Sequence, residues 1–312
     1  MKNSLFRDPN SGQELSWSDD QRSLLTSSGE VAYELVDGCF RLLPNGPEDG
    51  TFAYREHYQA DAEVFDYFAG WEDPAAVHEN QRLHEMILRQ APQNLKRVLD
   101  VGCGSAWVAA HFANKGVEVY SMDISTVNPE RALADYPFDG HVGVIADVFA
   151  LPFQEKSFDL IIASEIIEHV PDPGAFLQQL LPALAPGGLL VVTTPHDEKL
   201  AHSLCIHCNK PTPHHGHLHS FTAEAIRALL PSSLRAGAKT VTFVNKLLLH
   251  ARSHILLRHF PFWLWRLVDG LTSVFEDRAT NAGGSEKRIS FNRTVVQIHF
   301  RRNSTALLYR TR

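Results

Sequence analysis

Val98-Leu99-Asp100-Val101-Gly102-Cys103-Gly104-Ser105-Ala106 is the stretch whose reading decides the fold. Apolar residues lead straight into Asp100, and two glycines follow with one residue between them. Ala106 to Lys115 then repeats apolar residues at helical spacing, with Gly116 as its stop. Strand, glycine turn and helix in that order let backbone approach a bound nucleotide or nucleoside closely.

Two kinds of nucleoside cofactor compete for such a turn. A dinucleotide site places a third glycine for close helix–strand packing and sets a pyrophosphate on the helix N-terminus. Here Ala106 takes the third position, and the Asp100 anion stands just ahead of the turn. A carboxylate repels pyrophosphate and attracts a cation. S-adenosylmethionine carries an ammonium and a sulfonium, so the turn favours it.

Working outward, strands and helices alternate as a doubly wound sheet requires. Val117–Met122 reads as a strand ending at Asp123, 19 residues beyond Gly104, where an acid can accept both ribose hydroxyls. His141–Ala146 is a third strand, ending at Asp147. Leu160–Ala163, apolar throughout, reads as a strand buried on both faces, and Leu189–Thr194 as a fifth. Helices are expected at roughly 76–90, over Gly174–Leu184 and from Ser220 to Leu230. Ala238–Val244 reads as a sixth strand, and Thr294–Phe300 as an antiparallel last one. The expected fold is α/β, a Rossmann-like seven-stranded sheet with six parallel strands, helices on both faces and a small N-terminal β unit.

The segment 98–195 resembles the class I SAM-dependent methyltransferases, and within them the type 11 branch that includes the ubiquinone-pathway O-methyltransferases. Its carriers are Asp100-Val-Gly-Cys-Gly104, Leu151-Pro-Phe153 with Ser157-Phe158-Asp159, and Ser164-Glu165-Ile-Ile-Glu168-His169-Val170-Pro-Asp-Pro173. The resemblance implies a methionine end held at Asp100, Gly102, Cys103 and Gly104, and ribose at Asp123 and Ile124. It implies adenine at Asp147 and Val148, with Ser164 completing the cofactor set. The implied chemistry is in-line displacement at a sulfonium methyl, in which the protein supplies alignment, exclusion of water and a base for a hydroxyl acceptor. The expected acceptor is an oxygen on a small, apolar molecule such as a quinone or lipid precursor. A SAM-binding regulatory subunit without turnover is the alternative from another class.

His169 is the expected base, with His219 beside it, because imidazole titrates near neutral pH. Beyond His169 lies a histidine-dense stretch: His196, His202, His207, His214, His215, His217 and His219. Cys205 and Cys208 in the same stretch could hold zinc with nearby imidazoles. Glu165-x-x-Glu168-His169 with a later histidine resembles the metal set of small-RNA 3′-end ribose methyltransferases, so a metal-assisted RNA enzyme is a second alternative.

The flanks are less specific. Residues 1–46 read as a small strand-rich unit, with hairpin signals at Val31–Val36, Asp37-Gly38 and Cys39–Leu43. They resemble a zinc-ribbon-like domain lacking its metal cysteines. Residues 47–95 read as a helical linker or lid, with Tyr58 and Phe65 as its covering aromatics. Residues 96–312 form the main domain, with an insertion at about 247–290. Within 250–276, Arg252, Arg258 and Arg266 interleave with aromatics, which suits a peripheral membrane contact or the wall of an apolar pocket. The 312 residues carry a formal charge of −7, which gives no global pull toward nucleic acid. Four cysteines are too few for a disulfide framework, and no signal-peptide core opens the chain, so a reducing cytoplasm is expected.

Overall fold

The computed structural model describes residues 2–46, 53–70, 72–204, 211–213, 216–245, 254–281, 287–291, 294–298 and 302–310. Five strands come first: β1 (Lys2–Arg7), β2 (Glu14–Trp17), β3 (Ser23–Leu25), β4 (Val31–Val36) and β5 (Cys39–Leu42). Two helices follow, α1 (Tyr54–Val64) and α2 (Pro74–Leu88); Asp73 caps α2 through the Ala75 and Ala76 amides, and Pro74 occupies its first turn.

The alternating part comprises β6 (Arg97–Val101), α3 (Trp107–Phe112), β7 (Glu118–Asp123), α4 (Val127–Asp135), β8 (His141–Ala146), β9 (Phe158–Ser164), α5 (Pro173–Leu180) and β10 (Leu184–Pro195). After β10 come a short hairpin, β11 (His202–Leu204) and β12 (Pro211–Pro213), then α6 (Ala223–Ala228) and β13 (Ala238–Asn245). The last elements are α7 (His254–Leu257), α8 (Phe262–Asn281), β14 (Lys287–Phe291), β15 (Thr294–Ile298) and β16 (Arg302–Arg310).

Strands β8-β7-β6-β9-β10-β16-β13 form the expected run of seven, with β16 antiparallel to both neighbours. The seven-stranded expectation is nevertheless five strands short. β5 pairs in parallel with β8, Cys39 opposite Gly143, and joins β1–β4 to the same sheet, which has 12 strands. The close approach depends on a missing side chain: a Cβ at Gly143 would lie 2.5 Å from Cys39 Sγ. The chain also curls back, since the Arg7 amide donates to the Pro152 carbonyl at 2.9 Å and Gln154 to Leu5 at 2.8 Å. Phe6 then stands 5.4 Å from both Phe40 and Phe153, sealing the seam with aromatic packing. The last strand is a second correction. Thr294–Ile298 pairs with Lys287–Phe291 in a separate hairpin, and Arg302–Arg310 takes the antiparallel place in the sheet. Thr294–Phe300 carries the alternating pattern, whereas Arg302–Arg310 runs four polar residues into Ala306-Leu-Leu-Tyr309, so alternation alone points to the wrong segment and pairing with β10 and β13 selects the right one.

Alternate residues of each central strand feed two cores. Leu99, Val101, Ile161 and Val192 pack with α5, α6 and the N-terminal strands; Val98, Leu160, Ile162 and Val191 pack with α2, α3, Leu257 and Trp265. Burial on both faces is why these strands read as unbroken apolar runs. Asp100, Asp123 and Asp147 stand at or just past the carboxyl ends of β6, β7 and β8, the edge where ligands of such sheets bind.

Candidate functional site

Asp100, the penultimate residue of β6, is buried, and its Oδ2 has no hydrogen-bond partner among the described residues. Burial, then repulsion from Asp123, pushes its pKa well above the usual carboxylate range. The turn after it is built by backbone: the Gly102 and Cys103 amides both donate to the Met122 carbonyl, at 2.8 and 3.0 Å. Gly102 has φ +68°, and a Cβ there would collide with Ile166, whose Cγ1 would lie at 2.7 Å. Gly102→Ala should therefore cost on the order of 1–3 kcal/mol and displace the Ile166 loop. A thermal melt combined with cofactor titration checks this; an unshifted melt and unchanged affinity would refute it. Cys103 is buried beside the two acids and its thiol is pushed strongly up, so it packs as a neutral group.

Asp123, the last residue of β7, accepts from the Ser125 amide at 2.9 Å, the Asn128 amide side chain at 3.1 Å and the Gly104 amide at 3.5 Å. The strand tip and the glycine turn thereby become one unit, with Ile124 next in the chain. Asp147 follows β8 and accepts from the Phe149 amide at 2.9 Å, while Val148 is buried beside it. The other Asp147 oxygen holds α1: Tyr54 Oη donates to it, and Arg55 pairs with it at 2.9 Å.

α1 crosses the whole edge. Beyond Arg55, Gln59 exchanges hydrogen bonds with Thr126 at 2.9 and 3.2 Å, and Tyr58 Oη donates to the His169 carbonyl at 3.2 Å. Past the helix, Tyr67 lies against Gly104, its Cδ1 3.8 Å from where a Cβ would stand. Of the two expected covering aromatics, Tyr58 is tied through the His169 carbonyl to the loop after β9, whereas Phe65 is 54% exposed. Tyr54 and Arg55 were not singled out as Asp147 partners, because no local pattern marks a contact across some ninety residues of chain.

The loop after β9 forms the second half. Ser164 Oγ lies 3.1 Å from Thr193 Oγ1 on β10, and Glu165 adopts φ +56°, rare for a side chain of its kind. Burial lifts the Glu165 pKa to about 7, and Glu168 rises further through burial and the Glu165 charge. The Thr194 hydroxyl beside Glu168 offsets part of that rise. His169 Nε2 stands 4.0 Å from Glu168 Oε1, and its ring meets that of His217 edge-on at 4.8 Å. Glu168, His169 and His217 each offer a ligand atom within 4.8 Å of the others. His217 Nδ1 is buttressed by Glu198 at 2.5 Å, the way a carboxylate orients a metal-ligating imidazole.

His219 has a different employment. Its Nε2 donates to the Val170 carbonyl at 3.0 Å, tethering the same loop. His196 bridges to Phe221, and His202 lies in the β11–β12 hairpin. Cys205, His207, Cys208, His214 and His215 lie outside the described residues.

A family described as a methyltransferase domain matches residues 75–233. Over 123 residues the chain is 32% identical to the chloroplastic tocopherol O-methyltransferase of Arabidopsis thaliana, covering 38% of this chain and 35% of that protein. Over 154 residues it is 32% identical to the ubiquinone biosynthesis O-methyltransferase of Xylella fastidiosa, covering 45% of this chain and 61% of that protein. The matched stretch thus spans between 35% and 61% of the length of these relatives. Phosphoethanolamine N-methyltransferase 2 of Haemonchus contortus, solved in complex with S-adenosyl-L-methionine, aligns with a TM-score of 0.50 at 18% identity. That alignment covers 84% of this chain and 60% of that chain, a likeness of fold.

Proposed function

The chain belongs to the methyltransferase-domain family, and from that premise we propose that it transfers a methyl group from S-adenosylmethionine to an oxygen of a small, apolar acceptor. The observation that carries this reading is the buried Asp100 Oδ2, unpartnered among the described residues, beside a glycine turn and at a sheet edge that also holds Asp123 and Asp147. A buried anion without a partner is costly, and a cationic ligand relieves that cost. Asp100 with the backbone of Gly102 to Gly104 receives the amino-acid end, Asp123 the ribose, and Asp147 with Val148 the base. Bound there, the cofactor supplies an electrophilic methyl on a sulfonium. Tyr58 and Tyr67 shield the edge from water, and Arg55 keeps Asp147 oriented.

His169 takes the proton from the acceptor hydroxyl, held by the Tyr58 bond to its carbonyl and by the facing His217 ring. The oxygen acceptor draws support from the two O-methyltransferases that the chain resembles. His169→Gln should lower turnover by roughly 10²–10⁴-fold with cofactor affinity unchanged, measured by label transfer from methyl-labelled cofactor onto hydroquinone acceptors. Unchanged turnover would remove His169 from the chemistry, and absence of cofactor binding by calorimetry would sink the whole reading.

A second reading is favoured by one observation, the Glu168–His169–His217 group with Glu198 behind it. Carboxylate and imidazole donors suit a divalent cation, which would polarise the acceptor hydroxyl. Under this reading EDTA abolishes turnover and manganese or magnesium restores it. Under the first, chelation leaves the rate as it was.

A further inference from the structure

Helices α7 and α8 show two unlike faces. Leu257, Trp265 and Asp269 point inward and are buried, the Asp269 carboxylate pairing with Arg266 at 2.8 Å. Outward stand Trp263, 67% exposed, Leu267 at 53% and Leu271 at 56%. Spaced four residues apart, these three share one helical stripe. Ile255 and Leu256 on α7 are 52% and 70% exposed and belong to the same surface segment. Single exposed apolar residues are ordinary; five large ones on two consecutive helices mark an interaction surface.

Charge selects the occupant. From Ala225 through Val268 the sequence has no Asp or Glu, while Lys246, Arg252, Arg258 and Arg266 punctuate its second half. Arg258 and His259 are exposed, and the first acid, Asp269, is buried against Arg266. From Ile255 to Leu271 this apolar surface is flanked by cations and its one acid, Asp269, is buried, with Glu276 and Asp277 following only beyond Leu271. It therefore complements an anionic lipid surface, with Trp263 suited to the headgroup boundary. A symmetric second copy would set cations against cations. None of the described helices is long and apolar enough to cross a membrane, so the element would lie on the bilayer.

We infer that α7 and α8 form an interfacial docking surface for anionic membranes. The stripe is presented rigidly, because buried Arg82 of α2 donates to the Leu257 and Phe260 carbonyls at 2.9 and 2.7 Å. The inference goes beyond methyl transfer and does not require it.

The test uses the full chain with phosphatidylcholine vesicles, with and without phosphatidylglycerol, in co-sedimentation and tryptophan emission. Binding is expected only with phosphatidylglycerol, weakening as salt rises, with a blue shift in emission. The triple variant Trp263→Ser, Leu267→Ser, Leu271→Ser should bind at least about tenfold more weakly, and Arg258→Gln should lose part of the anionic preference. An unchanged melting temperature in both variants establishes that they fold. The inference falls if the wild-type chain pellets with neither vesicle, or if the triple variant pellets equally well. It also falls if the chain is a dimer that the triple variant converts to monomer with no vesicle binding.

Discussion

Asp100→Asn should weaken S-adenosylmethionine binding by roughly 100-fold, about 3 kcal/mol, while making the unliganded protein more stable. Both effects come from one carboxylate. Asp100 is buried beside Asp123 with Oδ2 unpartnered among the described residues, so the folded state favours its protonated form. A carboxyl whose folded pKa lies above its unfolded value binds more protons folded than unfolded. Stability is then greatest at low pH and falls as pH rises from the unfolded pKa toward the raised folded one. Asn carries no proton to lose, so the variant's melting temperature should exceed wild type above that window and converge with it below. The cationic cofactor favours the ionised form, so binding to wild type should release protons and strengthen with pH, and the variant should lose both trends. Calorimetry in two buffers of different ionisation enthalpy measures this directly. Equal affinity and equal proton release in the two proteins would remove Asp100 from the cofactor site.

The second large effect concerns Arg82, a fully buried cation on α2. Its guanidinium pairs with Glu85 at 2.7 Å, caps two carbonyls of the α7–α8 corner and lies 5.4 Å from the Trp265 ring. Arg82→Ala strips the guanidinium from the Phe260 carbonyl, leaves the Leu257 carbonyl only its bond from the Phe260 amide and opens a cavity beside Trp265, at a cost of about 3–5 kcal/mol. The melting temperature should fall on the order of 10 °C. Arg82→Lys should recover only part, since an ammonium lacks the planar fork that reaches carbonyls and carboxylate together. Acid should mimic the weakening. Burial, then the Arg82 charge, lowers the His78 pKa to about 4, below its unfolded value. Stability from keeping it neutral is therefore complete above about pH 6.5 and is lost as pH falls toward 4. A melting temperature within a degree or two of wild type for Arg82→Ala would show that the corner is held by apolar packing alone.

The strand-end acids and the helices between them were legible because their signals are local. Val98–Gly104, Val117–Asp123 and His141–Asp147 each carry a strand period and an end marker within a few residues, and the observed strands β6, β7 and β8 agree closely. The His169–His217 pairing was only half legible. Glu168 and His169 are neighbours, but which of many later histidines joins them depends on how residues 216–219 return to the loop, where Leu218 and His219 donate to the Glu168 carbonyl. The β16 register and the Arg55–Asp147 pair left no local trace.

By itself the sequence determined the alternating α/β core, the acids at its strand tips and the cationic, acid-free run before Asp269, since periodicity and composition act over one element at a time. The tertiary structure decided that β5 docks on β8, that α1 closes over Asp147, and that Trp263, Leu267 and Leu271 face outward while Trp265 faces in. Each of those outcomes is a choice among partners of similar local character, settled by shape and burial between segments distant in the chain.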